Sequence, residues 1–139
     1  MTSLTVQFAW NTVGPLALDA AGKLAFPVVQ RQPGLYRFLV GTDPEAEVYV
    51  GEAVELRRRF QQYRTPGRRQ QTNIRVNALL LAHLQSGTSV DIAICTTVGG
   101  DIEGESVRLV FADKAVRVLA EHAALIVERE ASRVLLNAL

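Results

Sequence analysis

Val48–Tyr63 reads VYVGEAVELRRRFQQY, a strand-like tetrapeptide that runs through a glycine into an arginine-studded amphipathic segment. Placing Ala53 to about Arg64 at about 100° per residue gathers Ala53, Leu56, Phe60 and Tyr63 on one side, which is predicted to pack on a sheet. Arg59 and Tyr63, four residues apart, fall on one edge of this stripe, and Glu52 shares that edge. Arg58 points to solvent, while Arg57 and Arg64 flank the opposite edge. Three consecutive arginines therefore have three different surroundings.

Upstream, GLYRFLV (Gly34 to Val40) has a period of two that puts Tyr36, Phe38 and Val40 on one face and Leu35, Arg37 and Leu39 on the other. This predicts a strand buried on both faces. The turn-rich GTDPEAE joins it to EVYVG, and so short a connection predicts an antiparallel pair. The first thirty residues alternate more weakly, with a DAAG turn between two short runs, and read as a hairpin appended to the sheet. Downstream, Pro66 and Gly67 break the first helix. Thr72 or Asn73 can then cap a second, NIRVNALLLAHLQSG, and SVDIAICTT forms a third strand. VGGDIEGES reads as a glycine-rich acidic loop, and SVRLVF either adds a short strand or leads straight on. From Asp113 to about Ala131 a long helical pattern sets Val118, His122, Leu125, Ile126 and Arg129 near one face, with Glu121 at its border.

The composition agrees with one domain. The chain has 139 residues, of which 48% are apolar, and a formal net charge of +1, enough for a real core and no general affinity for polyanions. No apolar run reaches the roughly 18 residues of a membrane helix, and MTSLTVQFAW lacks the features of a signal peptide, so a cytoplasmic protein is expected. Cys95 is the one cysteine and lies in an apolar run, which excludes a disulfide framework or thiolate metal site and reads as core. The charge is nevertheless uneven. Leu56 to Arg75 holds seven arginines, no lysine and no acid, and planar guanidinium groups grip oxyanions with paired hydrogen bonds.

GLY at 34–36, YVG at 49–51, Arg59 and the late helical Glu121 together resemble the GIY-YIG nuclease superfamily, over roughly Gly34 to Asn137. Twelve residues lie between Tyr36 and Tyr49, and Arg59 follows Tyr49 by ten, the family's usual interval. Tyr63, four after that arginine, matches another position that lines the family's site. EHAALI matches its E-x-x-x-L-I helix, and Leu136–Asn137 its late LN.

The resemblance implies an α/β fold with a small, mainly antiparallel three-stranded sheet flanked by helices. Residues 1–33 would then be an N-terminal hairpin packed on a nuclease domain at 34–139. It also implies a metal-dependent DNA endonuclease. Tyr36 or Tyr49 would handle the proton of the attacking water, its phenolate favoured by neighbouring positive charge. Arg59 would clamp the scissile phosphate, Tyr63 would line the site, and Glu121 would hold one Mg2+ or Mn2+, ahead of Glu128 and Glu130. Gly34, Gly51 and Asn137 would support the geometry. Arg57, Arg58, Arg64, Arg68, Arg69 and Arg75 would contact DNA, with a homodimer or a partner protein as a source of specificity. The alternative is a catalytically weak or silent DNA-binding module that retains the fold. Glu52 favours it, because a carboxylate beside Arg59 would repel a phosphate or pair with the arginine.

Overall fold

The computed structural model describes residues 1–138, and for Ala138 the backbone only. Among the described residues, ten strands and three helices follow one another as β1 (Leu4–Phe8), β2 (Asn11–Pro15), β3 (Ala17–Leu18), β4 (Leu24–Ala25), β5 (Gly34–Val40), β6 (Glu47–Ala53), α1 (Leu56–Arg64), α2 (Gln71–Gln85), β7 (Val90–Cys95), β8 (Val98–Ile102), β9 (Glu105–Val107), α3 (Lys114–Glu130) and β10 (Val134–Leu135), with a 3-10 turn at Leu136–Ala138. The result is a mixed α/β fold whose sheets are mainly antiparallel. Among the described residues no helix is long and apolar enough to cross a membrane.

The expected strands β5, β6 and β7 form the centre of a sheet ordered β10-β6-β5-β7-β2. β5 runs antiparallel to both neighbours, with Tyr36 opposite Gly51 on one side and Ile94 on the other. Its alternation divides the core. Tyr36, Phe38 and Val40 join Tyr49, Leu56, Phe60, Tyr63, Val76 and Leu80 beneath α1 and α2. Leu35 joins Val48, Val50, Cys95, Ala120 and Ala124 beneath α3. The sheet is thus covered on both faces, as the pattern of GLYRFLV requires.

The N-terminal segment is woven in more deeply than an appendage. The DAAG turn does close a hairpin, β3 against β4. β2, however, extends the central sheet beside β7, and β1 pairs with β8. VGGDIEGES is a hairpin rather than a loop: Ile102 pairs with Glu105 across Glu103 and Gly104, both at positive φ, as a tight two-residue turn demands. One of its glycines, Gly100, is tightly packed. A Cβ on Gly100 would meet the Thr5 carbonyl at 2.7 Å, so β1 approaches because the side chain is absent.

Two helices also differ from expectation. β6 continues through Ala53, which delays α1 to Leu56. Along α3 the buried positions are Val116, Arg117, Ala120, Ala124 and Glu128, whereas Val118, His122 and Ile126 face outward. Small alanines let the helix lie close to the sheet, and the two buried charges are both paired. Glu128, 2% exposed, accepts from Arg37 at 2.9 Å and from Arg133 at 2.6 Å. Arg133 continues to Asp43, closing a chain of alternating charges between β5, α3 and the β5–β6 turn. An apolar-stripe rule chooses the wrong face of such a helix, because a neutralised ion pair can be buried where the rule expects only hydrocarbon.

Candidate active site at the open edge of β6

Three hydroxyls and one guanidinium meet on the α1 side of the sheet. Tyr36 extends from β5 across β6, over Gly51, where a Cβ would collide with its ring and hydroxyl. Gly51 is therefore the gap through which the Tyr36 ring reaches α1. Gly34, at the other end of the same ladder, is needed for a different approach, since a Cβ there would strike the Cys95 carbonyl of β7. The Tyr36 hydroxyl hydrogen-bonds the Tyr63 hydroxyl and accepts from Arg59 Nη1 at 3.3 Å. Tyr49 lies beside them, its ring 6.4 Å from that of Tyr36, and its hydroxyl interacts with Tyr63. The four residues thus form one cluster, with Arg59 at the edge of α1 that the helical wheel selects.

Burial opposes the expected phenolate. Burial pushes the hydroxyls of Tyr36, Tyr49 and Tyr63 well above the ordinary tyrosine range, and for each of them a neighbouring tyrosine's charge adds to the rise. Arg59 pulls all three the other way and is outweighed. One half-buried cation cannot replace the hydration that an anion loses inside an aromatic cluster. All three tyrosines of the chain are consequently neutral hydroxyls at physiological pH.

Glu121 stands on the opposite side of the sheet. Among the described residues β10 covers only Glu47 and Val48 of β6, leaving the end of that strand without a neighbouring strand between the two groups. Strand alternation turns the backbone groups of Val48, Val50 and Glu52 toward this edge. Asn137 takes the middle set: its amide accepts from Val50 N at 2.9 Å and donates to Val50 O at 2.6 Å, as a paired strand would. Asn137 thus holds the YVG segment rather than facing a substrate.

The last set belongs to the acid. Burial and the negative charge of Glu52 raise the pKa of Glu121, against His122, the Glu52 backbone amide and Arg59, which lower it. Glu121 is therefore near enough to Arg59 to feel it across the strand edge.

Glu52 does not pair with Arg59. Because β6 has not yet ended, strand alternation turns its side chain to the α3 face, where Arg117 Nε donates to it at 2.7 Å. Arg117 is 5% exposed and is further bound to the Phe111 and Ala112 carbonyls. A buried arginine on α3 had no signal in an apolar-periodicity reading. Its only sequence mark is its position four residues before Glu121, on the same face.

The donors suit a hard cation. Glu121 is a carboxylate whose charge is disfavoured by both burial and a neighbouring acid, and a divalent ion offsets both effects. Among the described residues no three His, Cys, Asp or Glu converge, so water and phosphate oxygens would complete the shell. Glu128 is committed to its arginines and Glu130 is exposed near Arg129.

The remaining arginines separate by environment. Arg57 Nε donates to the Val29 carbonyl at 2.7 Å, and Arg64 binds the Leu24 carbonyl and Asp19. Both fasten α1 to the N-terminal segment. Arg58, Arg68 and Arg69 are exposed, and the positive charge of Arg75 reaches Tyr49.

A solved structure of a bacteriophage T4 EndoII mutant is similar to this chain, with a TM-score of 0.49 and 24% identity, over 61% of this chain and 64% of that one. No protein-family model matches the sequence, and neither does any curated protein.

Proposed function

We propose that this protein is a metal-dependent endonuclease that hydrolyses DNA phosphodiester bonds at the open edge of β6. The observation that supports it most is the hydroxyl cluster bound to Arg59 at the end of β6, which no described strand covers on that edge, with Glu121 within electrostatic range of the same arginine.

Hydrolysis forms a bond from a water oxygen to phosphorus and breaks the bond to the 3′ oxygen. Arg59 binds the non-bridging oxygens and offsets the charge that builds on them in the transition state. It touches the Tyr36 hydroxyl, so a phosphate held by its other nitrogens lies beside that tyrosine. Being neutral, Tyr36 acts as a relay: its oxygen takes the proton of the attacking water while its own proton passes to the hydroxyls of Tyr63 and Tyr49 and on to solvent. The departing 3′ oxygen takes a proton from solvent. Glu121 would hold Mg2+ or Mn2+, which when bound supplies Lewis-acid assistance at the leaving oxygen. Glu52, the residue that would favour a silent DNA-binding module, is drawn away from Arg59 by Arg117.

Plasmid nicking with Mg2+ or Mn2+ tests the reading. Arg59→Ala and Glu121→Ala are each expected to lower the rate by about 10²-fold or more, the usual cost of removing one transition-state charge partner. Undiminished cleavage by both variants would sink it.

A further inference from the structure

Beyond the catalytic cluster, α1 has a second face that the mechanism leaves unused. Arg31, Glu55, Arg57, Arg58 and Gln61 line a polar concavity of about 370 Å³. Arg57 and Gln61 also line an adjoining concavity of about 380 Å³ whose other walls include Phe26, Pro27 and Val28. The two hollows share Arg57 and Gln61 and lie side by side, the basic and the largely apolar half of one grooved stretch of surface. Arg57 stands at the junction, its guanidinium anchored through Nε to the Val29 carbonyl. Phe26 is held by stacking on Phe60, with ring centroids 5.0 Å apart and an interplanar angle of 15°.

We infer that this groove binds a nucleotide of a DNA single strand adjoining the scissile phosphate, with its phosphate among Arg31, Arg57 and Arg58 and its base on the Phe26–Val28 shelf. Three arginines against one acid leave the basic half with a positive excess. Glu55 does not cancel it: its pair with Arg31 spans 3.9 Å, and the Arg31 side chain is 72% exposed, conditions in which an ion pair contributes little. An apolar shelf beside a cationic pocket matches a nucleotide, whose anionic and apolar parts are covalently joined. A duplex is matched less well, because its bases are stacked inward and their faces are unavailable. Each half has the dimensions of a small-ligand site. Arg57 and Gln61 lie on the flank of α1 away from Arg59, so the groove is roughly one helix diameter, about 10 Å, from the candidate active site.

The inference rests on the nuclease reading only for its choice of polyanion, and binding without metal separates the two. A short fluorescein-labelled oligothymidylate is titrated with protein in EDTA over a salt series and followed by anisotropy. Arg31→Ala and Arg58→Ala are each expected to weaken binding about fivefold to tenfold relative to Arg108→Ala, an exposed charge outside the groove. Each also lowers the slope of log affinity against log salt by about 0.7. Val28→Glu, at a side chain 87% exposed and hence harmless to the core, is expected to weaken binding by a similar factor. The inference is overturned if both arginine variants bind like Arg108→Ala, or if Val28→Glu binds like the unmodified chain. Failure of plasmid cleavage alone would sink the nuclease reading and leave this result standing.

Discussion

Gly51→Ala adds one methyl group at a position where the Tyr36 ring and hydroxyl already fill the space. Tyr36 is 1% exposed and hemmed in by the rings of Phe38, Tyr49, Phe60 and Tyr63, so it cannot swing aside without displacing a second aromatic. Overpacking of this kind costs about 1–3 kcal/mol. For a domain of this size that lowers Tm by roughly 3–6 °C per kcal/mol. The assay is urea denaturation of four proteins: unmodified, Gly51→Ala, Tyr36→Leu and the double variant. If the collision is the cause, Gly51→Ala should cost less than about 0.5 kcal/mol in the Tyr36→Leu background, giving a coupling of about 1 kcal/mol or more. Cleavage by Gly51→Ala should fall as well, because the Tyr36 hydroxyl leaves Arg59 and Tyr63. Equal costs in the two backgrounds would refute the argument that the Gly-x-Tyr and Tyr-x-Gly elements are one interlocking contact.

The tyrosines give a second test. All three of the chain lie in the cluster beside Arg59, and each has its pKa raised in the folded state. Such groups contribute stability that is fully present below the unfolded value near pH 10 and is lost as pH climbs toward the folded values. Phenolate absorbance at 295 nm should therefore stay flat past pH 10 in the native protein and rise together with unfolding, and a rise centred near pH 10 with the fold intact would contradict the burial argument. The buried charge chain gives a third. Glu128→Ala leaves the guanidinium groups of Arg37 and Arg133 without their shared partner, and is expected to cost about 3–5 kcal/mol in urea denaturation while leaving the arrangement around Arg59 unchanged. A cost under about 1 kcal/mol would mean that the chain of charges holds little.

Much of the fold was legible because its cause is local. Alternation in GLYRFLV and EVYVG follows from the two-residue period of a strand, and the stripe Leu56, Phe60, Tyr63 from the period of a helix. Each pattern is written into neighbouring residues. What the patterns missed depended on distant partners. Gly100 looks like a loop former until β1 is seen to need its missing side chain. The outward Val118 and Ile126 look like a core face until Arg117 and Glu128 are found neutralised beneath the helix. β2 gives a weak strand signal because an edge strand has only one neighbour in its sheet.

The candidate site divides in the same way. By itself the sequence determined that Arg58 points away from the apolar stripe while Arg57 and Arg59 flank its two edges, since helical rotation separates the three, and the family interval of ten residues after Tyr49 then singled out Arg59. It also predicted the antiparallel pairing of GLYRFLV with EVYVG, whereas the register that sets Tyr36 against Gly51 belongs to the structure. Only the tertiary structure decided the charge states. Whether a tyrosine is phenolate or phenol depends on how much water its hydroxyl keeps, and whether Glu52 opposes Arg59 or pairs with Arg117 depends on where β6 stops. Both are properties of surroundings assembled from residues tens of positions apart, and no local period records them.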